Sequence, residues 1–202
     1  MPPEESGKWL LDRMARQLGF ESLAGTSVLD FGCGVRFTQA ILNGRLPIGE
    51  YAGVDCYPAM IEFLRERVVD PRFSFHLLDA RHALYNPGGT PLVSSTPLPL
   101  PERHFDVACM FSVLTHQYPE DSRAILSILR RHVRPTGRLF FTCFLDDALE
   151  SFEDRSAERN GGRCFYSTTF LEHLAGETGW APSARYGAEP PLIGDAFVWR
   201  PC

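Results

Sequence analysis

The sequence predicts an α/β protein in which a mainly parallel β-sheet is covered by helices on both faces. Short, nearly continuous apolar segments alternate along the chain with segments whose apolar residues recur at helical spacing. Continuous apolar strands are typical of parallel sheets because such sheets are buried on both faces. The length of 202 residues, of which 44% are hydrophobic, is that of one globular domain. We therefore treat residues 1–202 as a single domain with its ligand site at the carboxyl ends of the strands.

The first predicted element is a helix in residues 1–20 that docks onto the rest of the domain. Leu10, Met14 and Leu18 recur at four-residue spacing, and Gly19 ends the pattern. The first strand, at residues 27–31, is an apolar run that stops at two glycines, as a buried strand entering a tight turn does.

The later elements continue this alternation. Pro58 fits the first turn of a helix, and Pro135 with Gly137 ends another one. In chain order, the patterns predict a helix at 36–43, a strand at 49–55, a helix at 58–68, strands at 73–79 and 105–113, a helix at 122–133, a strand at 138–145, a helix at 167–179, and strands at 180–186 and 195–200. The sheet is thus expected to contain seven strands.

Two segments fit neither pattern. Residues 86–101 are too rich in proline for a helix or a central strand and predict a loop. Residues 146–166 predict a polar insertion after the fifth strand. Long connections in a compact domain are usually lids, binding loops or disordered segments. We expect these two segments, together with the N-terminal helix, to determine which substrate binds.

The charge and cysteine patterns exclude several classes of partner. The net charge of −5 is spread over both halves of the chain, whereas nucleic-acid binding needs a cluster of cations. The sequence shows neither a run of 18 apolar residues nor a secretion signal, so we expect no membrane span and a cytoplasmic location. The six cysteines include no CxxC pair, which argues against a zinc site and for reduced thiols.

A glycine turn after the first strand carries the clearest functional signal. Gly32 and Gly34 lie where backbone N–H groups and a helix N-terminus can approach an anionic group. Asp55, at the end of the second predicted strand, is placed to accept hydrogen bonds from both hydroxyls of a ribose. Together these residues predict a cofactor that contains a nucleoside, although the turn alone would also fit a plain strand-to-helix connection. The dinucleotide fingerprint has Gly or Ala where this chain has Phe37.

With these residues the chain resembles the class I S-adenosylmethionine-dependent methyltransferases. The resemblance lies in VLDFGCG at 28–34, YAGVD at 51–55, LDA at 78–80, FDVACMFSVLTH at 105–116, RPTGRLFFT at 134–142 and DAFVWRP at 195–201. LYNPGG at 84–89 and SVLTH at 112–116 are similar to a group of small, mostly bacterial members. The resemblance implies a Rossmann-like seven-stranded sheet with an antiparallel last strand, S-adenosylmethionine as cofactor and S-adenosylhomocysteine as product.

The resemblance also implies roles for individual residues. Asp30 and the two glycines would surround the methionine part of the cofactor, and Asp55 would bind the ribose. Asp79 would accept from the adenine amino group, unless it caps a helix instead. Arg36 stands where the family often has glycine, so it either meets the cofactor's carboxylate or bends the turn differently. The full implied set of cofactor-binding residues is Asp30, Gly32, Cys33, Gly34, Arg36, Asp55, Cys56, Tyr57, Asp79, Ala80 and Phe111.

His116 is the candidate general base for the reaction. It directly follows the fourth strand, and imidazole titrates near neutral pH; the alternative is a structural histidine that caps the next helix. The candidate substrate-binding residues lie in loops or at strand ends and are His82, Tyr85, Asn86 and Tyr118. The carboxylates after the fifth strand lack the third ligand that a metal site would need there, so no metal is expected.

These observations predict methyl transfer from S-adenosylmethionine to oxygen or nitrogen of a small molecule, such as a sugar or a secondary metabolite. Two alternatives stay open. One is a nicotinamide-dependent oxidoreductase, which Phe37 disfavours. The other is a regulatory module that binds the cofactor without catalysis. A cavity for an acceptor beside the cofactor would distinguish the enzyme from such a module.

Overall fold

The computed structural model describes residues 3–82, 85–155, 163–190 and 194–202. In these ranges the helices are α1 (Pro3–Gln17), α2 (Arg36–Gly44), α3 (Pro58–Arg67), α4 (Pro119–His132) and α5 (Thr168–Glu177). The strands are β1 (Ser27–Phe31), β2 (Glu50–Asp55), β3 (Phe73–Leu77), β4 (Phe105–Met110), β5 (Val133–Leu145), β6 (Phe152–Asp154), β7 (Cys164–Tyr166), β8 (Trp180–Tyr186) and β9 (Asp195–Pro201).

The main sheet confirms the predicted α/β architecture. Its strand order is β3-β2-β1-β4-β5-β9-β8. The first five strands are parallel, and β9 is antiparallel to both of its neighbours. The chain starts at β1 in the middle and continues to β2 and β3 on one side before it crosses to β4. The carboxyl ends of β1 and β4 therefore flank the switch point at which a ligand site is expected.

Helices cover both faces of this sheet, and each face has its own hydrophobic core. One core packs α4 and α5 against the sheet, and the other packs α1, α2 and α3. Strand β1 shows why the chain reads as continuously apolar here. Val28 and Leu29 are both fully buried, but they belong to opposite faces because side chains alternate along a strand.

Strand β5 begins at Val133, five residues before the predicted start at 138. The register with β4 jumps from Phe105 opposite Val133 to Val107 opposite Arg138, so the residues between form a bulge. Gly137 is required there, since a Cβ would lie 2.5 Å from Val133 Cγ1. Pro135 is tolerated because bulged residues do not need to donate to the ladder. The segment that was expected to end the helix is thus also part of a strand.

The predicted polar insertion at 146–166 contains two short strands that the sequence did not indicate. Strands β6 and β7 pair antiparallel, and β7 also pairs with the end of β5. Cys164 and Tyr166 in β7 are buried. Three-residue strands are too short for a period-two pattern to be recognised, which is why they were missed. Residues 156–162 of the insertion lie outside the described residues.

The six cysteines are all free thiols in the structure. No helix among the described residues is long and apolar enough to cross a membrane.

Candidate active site

A cavity of about 520 Å³ opens at the carboxyl ends of β1, β2, β3 and β4. This is the position that the strand order favours for a ligand. Twelve of the lining residues come from the ends of these strands or from the segments just after them, and the rest from the neighbouring loops and helices. The lining residues are Phe31, Gly32, Gly34, Val54, Asp55, Cys56, Tyr57, Met60, Leu78, Ala80, Arg81, His82, Tyr85, Leu92, Phe111, Ser112, Val113, His116, Gln117 and Ile125.

The turn after β1 forms one wall of the cavity. Gly32 has a φ of +75° and Gly34 a φ of +50°, which is the left-handed region that favours glycine. The N–H of Gly32 donates to Val54 O at 2.8 Å, so the turn is fixed to the end of β2. A Cβ on Gly32 would lie 2.6 Å from Val113 Cγ2, whereas a Cβ on Gly34 would meet no atom within 4 Å. Only glycine therefore lets this turn approach the segment after β4.

Asp55 lies at the end of β2 and lines the cavity, as predicted. Its Oδ2 accepts from the N–H of Gly34 and its Oδ1 from the N–H of Tyr57, each at 3.1 Å. A carboxylate has about four lone-pair positions, so each oxygen retains capacity for a further donor. Two fixed oxygens that face a cavity can accept from two neighbouring hydroxyl groups of one ligand.

Aromatic rings form a rim from the end of β2 to the segment that follows β3. The ring of Tyr85 lies 5.7 Å from that of Tyr57 and stacks on the imidazole of His82 at 4.8 Å. The N–H of Tyr85 donates to His82 Nδ1 at 3.3 Å. Burial lowers the pKa of His82, and the charge of His116 lowers it further. The predicted residues His82 and Tyr85 are thus brought together with Tyr57 at the cavity.

His116 ends a single 3-10 turn, Leu114–His116, that follows β4. Its side chain is exposed and lines the cavity beside Gln117. The turn is anchored from below because Leu114 is buried and the Tyr166 hydroxyl donates to Gln117 O at 2.7 Å. His116 does not begin α4, which starts at Pro119, so the alternative that it caps this helix is wrong.

The residues at the end of β3 have hydrogen-bond partners within the protein. Ala80 lines the cavity, but its N–H donates to Leu78 O at 2.7 Å within a tight turn. The carboxylate of Asp79 does not line the cavity and accepts from Asn86 and Thr90 instead. The alternative that Asp79 caps a helix is also wrong for the described residues, because residues 79–82 and 85–90 form no helix.

Four further predicted residues lie outside the cavity wall. Cys33 is buried under the turn, Arg36 is exposed at the start of α2, and Asn86 contacts Asp79. Tyr118 packs on Phe152 and donates to Asp154 Oδ2 at 2.5 Å, so it faces the β6–β7 hairpin. Asn86 and Tyr118 thus contact neighbouring segments, and none of the four residues is part of the lining.

Asp30 lies beneath the glycine turn and is 3% exposed. The Tyr51 hydroxyl donates to Asp30 Oδ2 at 2.6 Å, and the Cys109 thiol lies 3.5 Å from Oδ1. Burial raises the pKa of Asp30 to about 7, although both hydrogen bonds act in the opposite direction. The carboxyl group thus changes charge near neutral pH, directly below the residues that shape the cavity.

This arrangement predicts a pH-dependent effect of the Tyr51→Phe substitution. Because the pKa of Asp30 is raised from 3.8 to about 7, the folded state binds more protons, and the free energy of unfolding falls as pH rises from about 4 to about 7. Tyr51→Phe removes a donor to the ionised form, so the variant should lose about 1.5–3 kcal/mol above neutral pH and less at about pH 5. Urea unfolding of wild type and variant, above neutral pH and at about pH 5, measures the difference in the free energy of unfolding.

The Tyr186→Phe variant is the matched control for this prediction. The Tyr186 hydroxyl donates to a backbone carbonyl, Gln17 O, at 3.0 Å, so its loss should cost the same at both pH values. An equal cost of Tyr51→Phe at both pH values would show that Asp30 does not titrate in this range.

Several cavity residues were not predicted from the sequence. Met60 in the first turn of α3 and Ile125 in α4 face the cavity from helices, and Leu92 reaches it from the proline-rich loop. A helix that follows a strand end has its first turn beside the ligand site, so the position of Met60 was a usable signal. Leu92 has no local signal because loop side chains have no periodicity. Among the described residues, neither α1 nor the 146–166 segment lines the cavity.

The described part of the chain contains no cluster of metal-ligating side chains. No group of three or more His, Cys, Asp and Glu residues is arranged there to hold a metal ion.

The fold and the site define a class of protein. The fold is the Rossmann-like class I methyltransferase fold, with a parallel sheet and an antiparallel β9. The site adds a glycine turn after β1 and a carboxylate at the end of β2. A family model described as a methyltransferase domain matches residues 7–183. The chain belongs to this methyltransferase domain family.

Known proteins agree with this assignment at the level of the fold. A crystal structure of an S-adenosylmethionine-dependent methyltransferase from Mesorhizobium loti is similar, with a TM-score of 0.65, 12% identity, and coverage of 94% of this chain and 97% of that chain. A Burkholderia thailandensis 1,6-didemethyltoxoflavin-N1-methyltransferase, solved with 1,6-didemethyltoxoflavin and S-adenosylhomocysteine, has a TM-score of 0.62 and 19% identity, and the match covers 99% and 78% of the two chains.

A curated relative matches over a shorter segment. It is a malonyl-[acyl-carrier protein] O-methyltransferase from Acetivibrio thermocellus, 29% identical over 79 residues. The match covers 39% of this chain and spans only 28% of the length of that relative.

Proposed function

We propose that this protein transfers a methyl group from S-adenosylmethionine to an oxygen or nitrogen atom of a small molecule. The observation that carries the proposal is the cavity that joins the glycine turn and Asp55 to His116 across the carboxyl edge of the sheet. Its volume of about 520 Å³ lies within the range of roughly 300–1,000 Å³ that is usual for cofactor and ligand sites.

The residues present fit the adenosine part of this cofactor. The two oxygens of Asp55 have capacity for the ribose hydroxyls, and the aromatic Tyr57 with the apolar Met60 and Leu78 suits a flat base. A Cβ at Gly34 would meet no protein atom within 4 Å, so space beside the turn is open for the methionine part. Membership of the methyltransferase domain family supports the same cofactor.

The structure also favours this cofactor over a nicotinamide dinucleotide. The dinucleotide fingerprint needs a small residue for close helix–strand packing where this chain has Phe37. The Phe37 ring is buried and meets the Phe111 ring edge to face, with centroids 4.8 Å apart. Because this ring fills the space between α2 and the sheet, we consider an oxidoreductase the weaker candidate.

Catalysis in this site is mainly positioning. The cofactor supplies an electrophilic methyl group on a sulfonium, and alignment with an attacking atom accounts for much of the acceleration. Asp55 and the glycine turn would orient the cofactor at one end of the cavity. The apolar side chains of Val113, Leu92 and Ile125 restrict the access of water to the cavity. His116 lies at the cavity where a ring nitrogen can take the proton of an acceptor hydroxyl or ammonium group.

A small acceptor agrees with the site and with similar proteins. The net charge of −5 disfavours a nucleic acid, the cavity has the volume of a small-molecule site, and no helix of the described residues could span a membrane. The Burkholderia thailandensis structure contains 1,6-didemethyltoxoflavin and S-adenosylhomocysteine, which supports a small acceptor. The Acetivibrio thermocellus relative is an O-methyltransferase of malonyl-[acyl-carrier protein], so it supports oxygen as an acceptor atom but not a free small molecule. A sugar or a secondary metabolite fits these observations, as does a cytoplasmic location.

Ligand titration tests the cofactor assignment. Isothermal titration calorimetry with S-adenosylmethionine, S-adenosylhomocysteine and NAD should show binding of the two sulfur compounds but not of NAD. Binding of NAD alone would overturn the proposal. Turnover of S-adenosylmethionine with a panel of small hydroxyl and amine compounds then distinguishes an enzyme from a module that only binds the cofactor.

The Asp55→Ala variant should weaken S-adenosylhomocysteine binding by about tenfold to hundredfold. The reason is a loss equivalent to one charge-assisted hydrogen bond, which is worth about 1.5–3 kcal/mol in total. The matched control is Glu50→Ala, since Glu50 is at the opposite end of β2, where it contacts His104 Nε2 at 2.6 Å. Unchanged affinity in Asp55→Ala, or an equal loss in Glu50→Ala, would remove the proposed role of Asp55.

A further inference from the structure

The backbone that carries His116 is held at both ends by hydroxyl groups from neighbouring strands. We call residues 112–117 the post-β4 segment; Ser112, Val113, His116 and Gln117 of this segment line the cavity. At its start, the N–H of Ser112 donates to Thr142 Oγ1 of β5 at 2.9 Å. At its end, the Tyr166 hydroxyl of β7 donates to Gln117 O at 2.7 Å. The cavity side of the segment thus depends on contacts behind it.

The start of the post-β4 segment is in a strained conformation. Ser112 has a φ of +57°, in the left-handed region that residues other than glycine rarely adopt. Such a conformation persists only where surrounding contacts impose it. One contact is the hydrogen bond to Thr142, which is buried, and another is the close approach of Val113 to Gly32. The segment is therefore held by its surroundings rather than by its own backbone preference.

The end of the segment is held by a chain of two hydroxyl groups. Ser122, in the first turn of α4, lies with its Oγ 2.8 Å from the Tyr166 hydroxyl, and both side chains are buried. Since a tyrosine hydroxyl has one proton and donates it to Gln117 O, the Ser122 hydroxyl is the donor to Tyr166. Burial raises the pKa of Tyr166, so its hydroxyl keeps this proton. Tyr166 thus joins the end of the 3-10 turn to the start of α4.

The ring of Tyr166 is fixed independently of its hydroxyl. Tyr166 pairs with Leu145 of β5 on one side and with Phe152 of β6 on the other, and its backbone O accepts from the N–H of Asp146 at 3.0 Å. The ring packs on those of Phe152 and Phe170, with centroid distances of 5.2 and 6.3 Å. A phenylalanine at this position would keep these contacts and lose only the hydroxyl.

We propose that Tyr166 is a positioning residue for His116. Its hydroxyl holds the carbonyl of Gln117, the residue that directly follows His116, and thereby keeps the imidazole at the cavity. The proposal rests on the proposed function, in which His116 takes a proton from the acceptor. Through Tyr166, the 146–166 segment acts on the reaction although none of its described residues lines the cavity.

The first test uses NMR titration of His82, which needs no ligand. The charge of His116 lowers the pKa of His82, so this pKa reports how close the imidazole of His116 lies. Asp55 acts in the opposite direction and is the same in all variants. In Tyr166→Phe the pKa of His82 should rise, because His116 lies further away on average once its turn is loosened. In the His116→Gln background, Tyr166→Phe should cause no further change.

Two variants serve as controls for this titration. Tyr186→Phe also removes a hydroxyl that donates to a backbone carbonyl, Gln17 O, and should leave the pKa of His82 unchanged. Ser122→Ala removes the donor to Tyr166 but leaves Tyr166 on Gln117 O, so its effect should be much smaller than that of Tyr166→Phe. An unchanged pKa of His82 in Tyr166→Phe, or an equal rise in Ser122→Ala, would overturn the proposal.

The second test measures turnover with an acceptor that the wild type methylates. Tyr166→Phe should lower kcat about tenfold to hundredfold, the size expected for a misplaced catalytic group, and leave the affinity for S-adenosylhomocysteine unchanged. In the His116→Gln background, Tyr166→Phe should lower kcat no further, because Tyr166 acts through His116. The same fold loss of kcat in both backgrounds would show a general structural effect and overturn the proposal.

The two tests separate the failure of this proposal from the failure of the proposed function. If the wild type does not bind S-adenosylhomocysteine, the proposed function is wrong, yet the titration of His82 still decides whether Tyr166 positions His116. If the wild type binds S-adenosylhomocysteine and methylates an acceptor while Tyr166→Phe keeps the wild-type kcat, the proposed function stands and the role of Tyr166 is wrong.

Discussion

Replacement of Gly32 by alanine is expected to weaken S-adenosylhomocysteine binding more than hundredfold. A φ of +75° costs an alanine about 1–2 kcal/mol, and its Cβ would lie 2.6 Å from Val113 Cγ2. To relieve this contact, the turn after β1 and the segment after β4 must move apart. These two segments form facing walls of the cavity, so the cost falls on binding as well as on stability. Calorimetry measures the loss of affinity, and urea unfolding measures the loss of stability.

Gly25→Ala is the matched control for this substitution. Gly25 has a φ of +72°, but a Cβ there would meet no atom within 4 Å, and the residue lies before β1, away from the cavity. Gly25→Ala should therefore show the backbone cost alone, with unchanged binding. Gly34 has a φ of +50°, and a Cβ there would meet no protein atom within 4 Å, so the loss of affinity in Gly34→Ala should lie between those of the other two variants. The account of the turn is wrong if Gly32→Ala and Gly25→Ala behave alike.

The parts of the fold that the sequence predicted are those with strong local patterns. Val28 and Leu29 in β1 are buried on opposite faces, so the strand reads as one apolar run. The parts that were missed depend on distant neighbours. The early start of β5 at Val133 follows from a bulge opposite Phe105, which lies on a strand 28 residues earlier in the chain. No local pattern contains that pairing.

The same distinction applies to the candidate site. Gly32 and Asp55 were found because a tight turn and a strand end are local features, and both line the cavity. The direction of a side chain after a strand end is not local. Asp79 accepts from Asn86 and Thr90, which lie in a loop, and Tyr118 donates to Asp154. Residue type and position alone predicted these side chains at the ligand, and no local pattern indicates the hydrogen-bond partners that they have in the structure.

Substitution of His116 by glutamine is expected to lower kcat by about 10²–10⁴-fold with acceptors that must lose a proton, the range typical for removal of a general base. The side chain lines the cavity, on a turn held by buried Leu114 and by the Tyr166 hydroxyl on Gln117 O. Binding of S-adenosylhomocysteine should be nearly unchanged, because Asp55 and the glycine turn remain. The pH profile of kcat should also lose the inflection that the general base produces in the wild type.

Two comparisons separate this role from a general disturbance of the site. His173→Gln is the control, since His173 is exposed on α5 and contacts Glu177. The second is the pKa of His82, which the charge of His116 lowers in the wild type. In His116→Gln that charge is absent, so NMR titration should show a higher pKa for His82. An unchanged kcat together with a raised pKa of His82 would place His116 at the cavity and yet exclude it as the base.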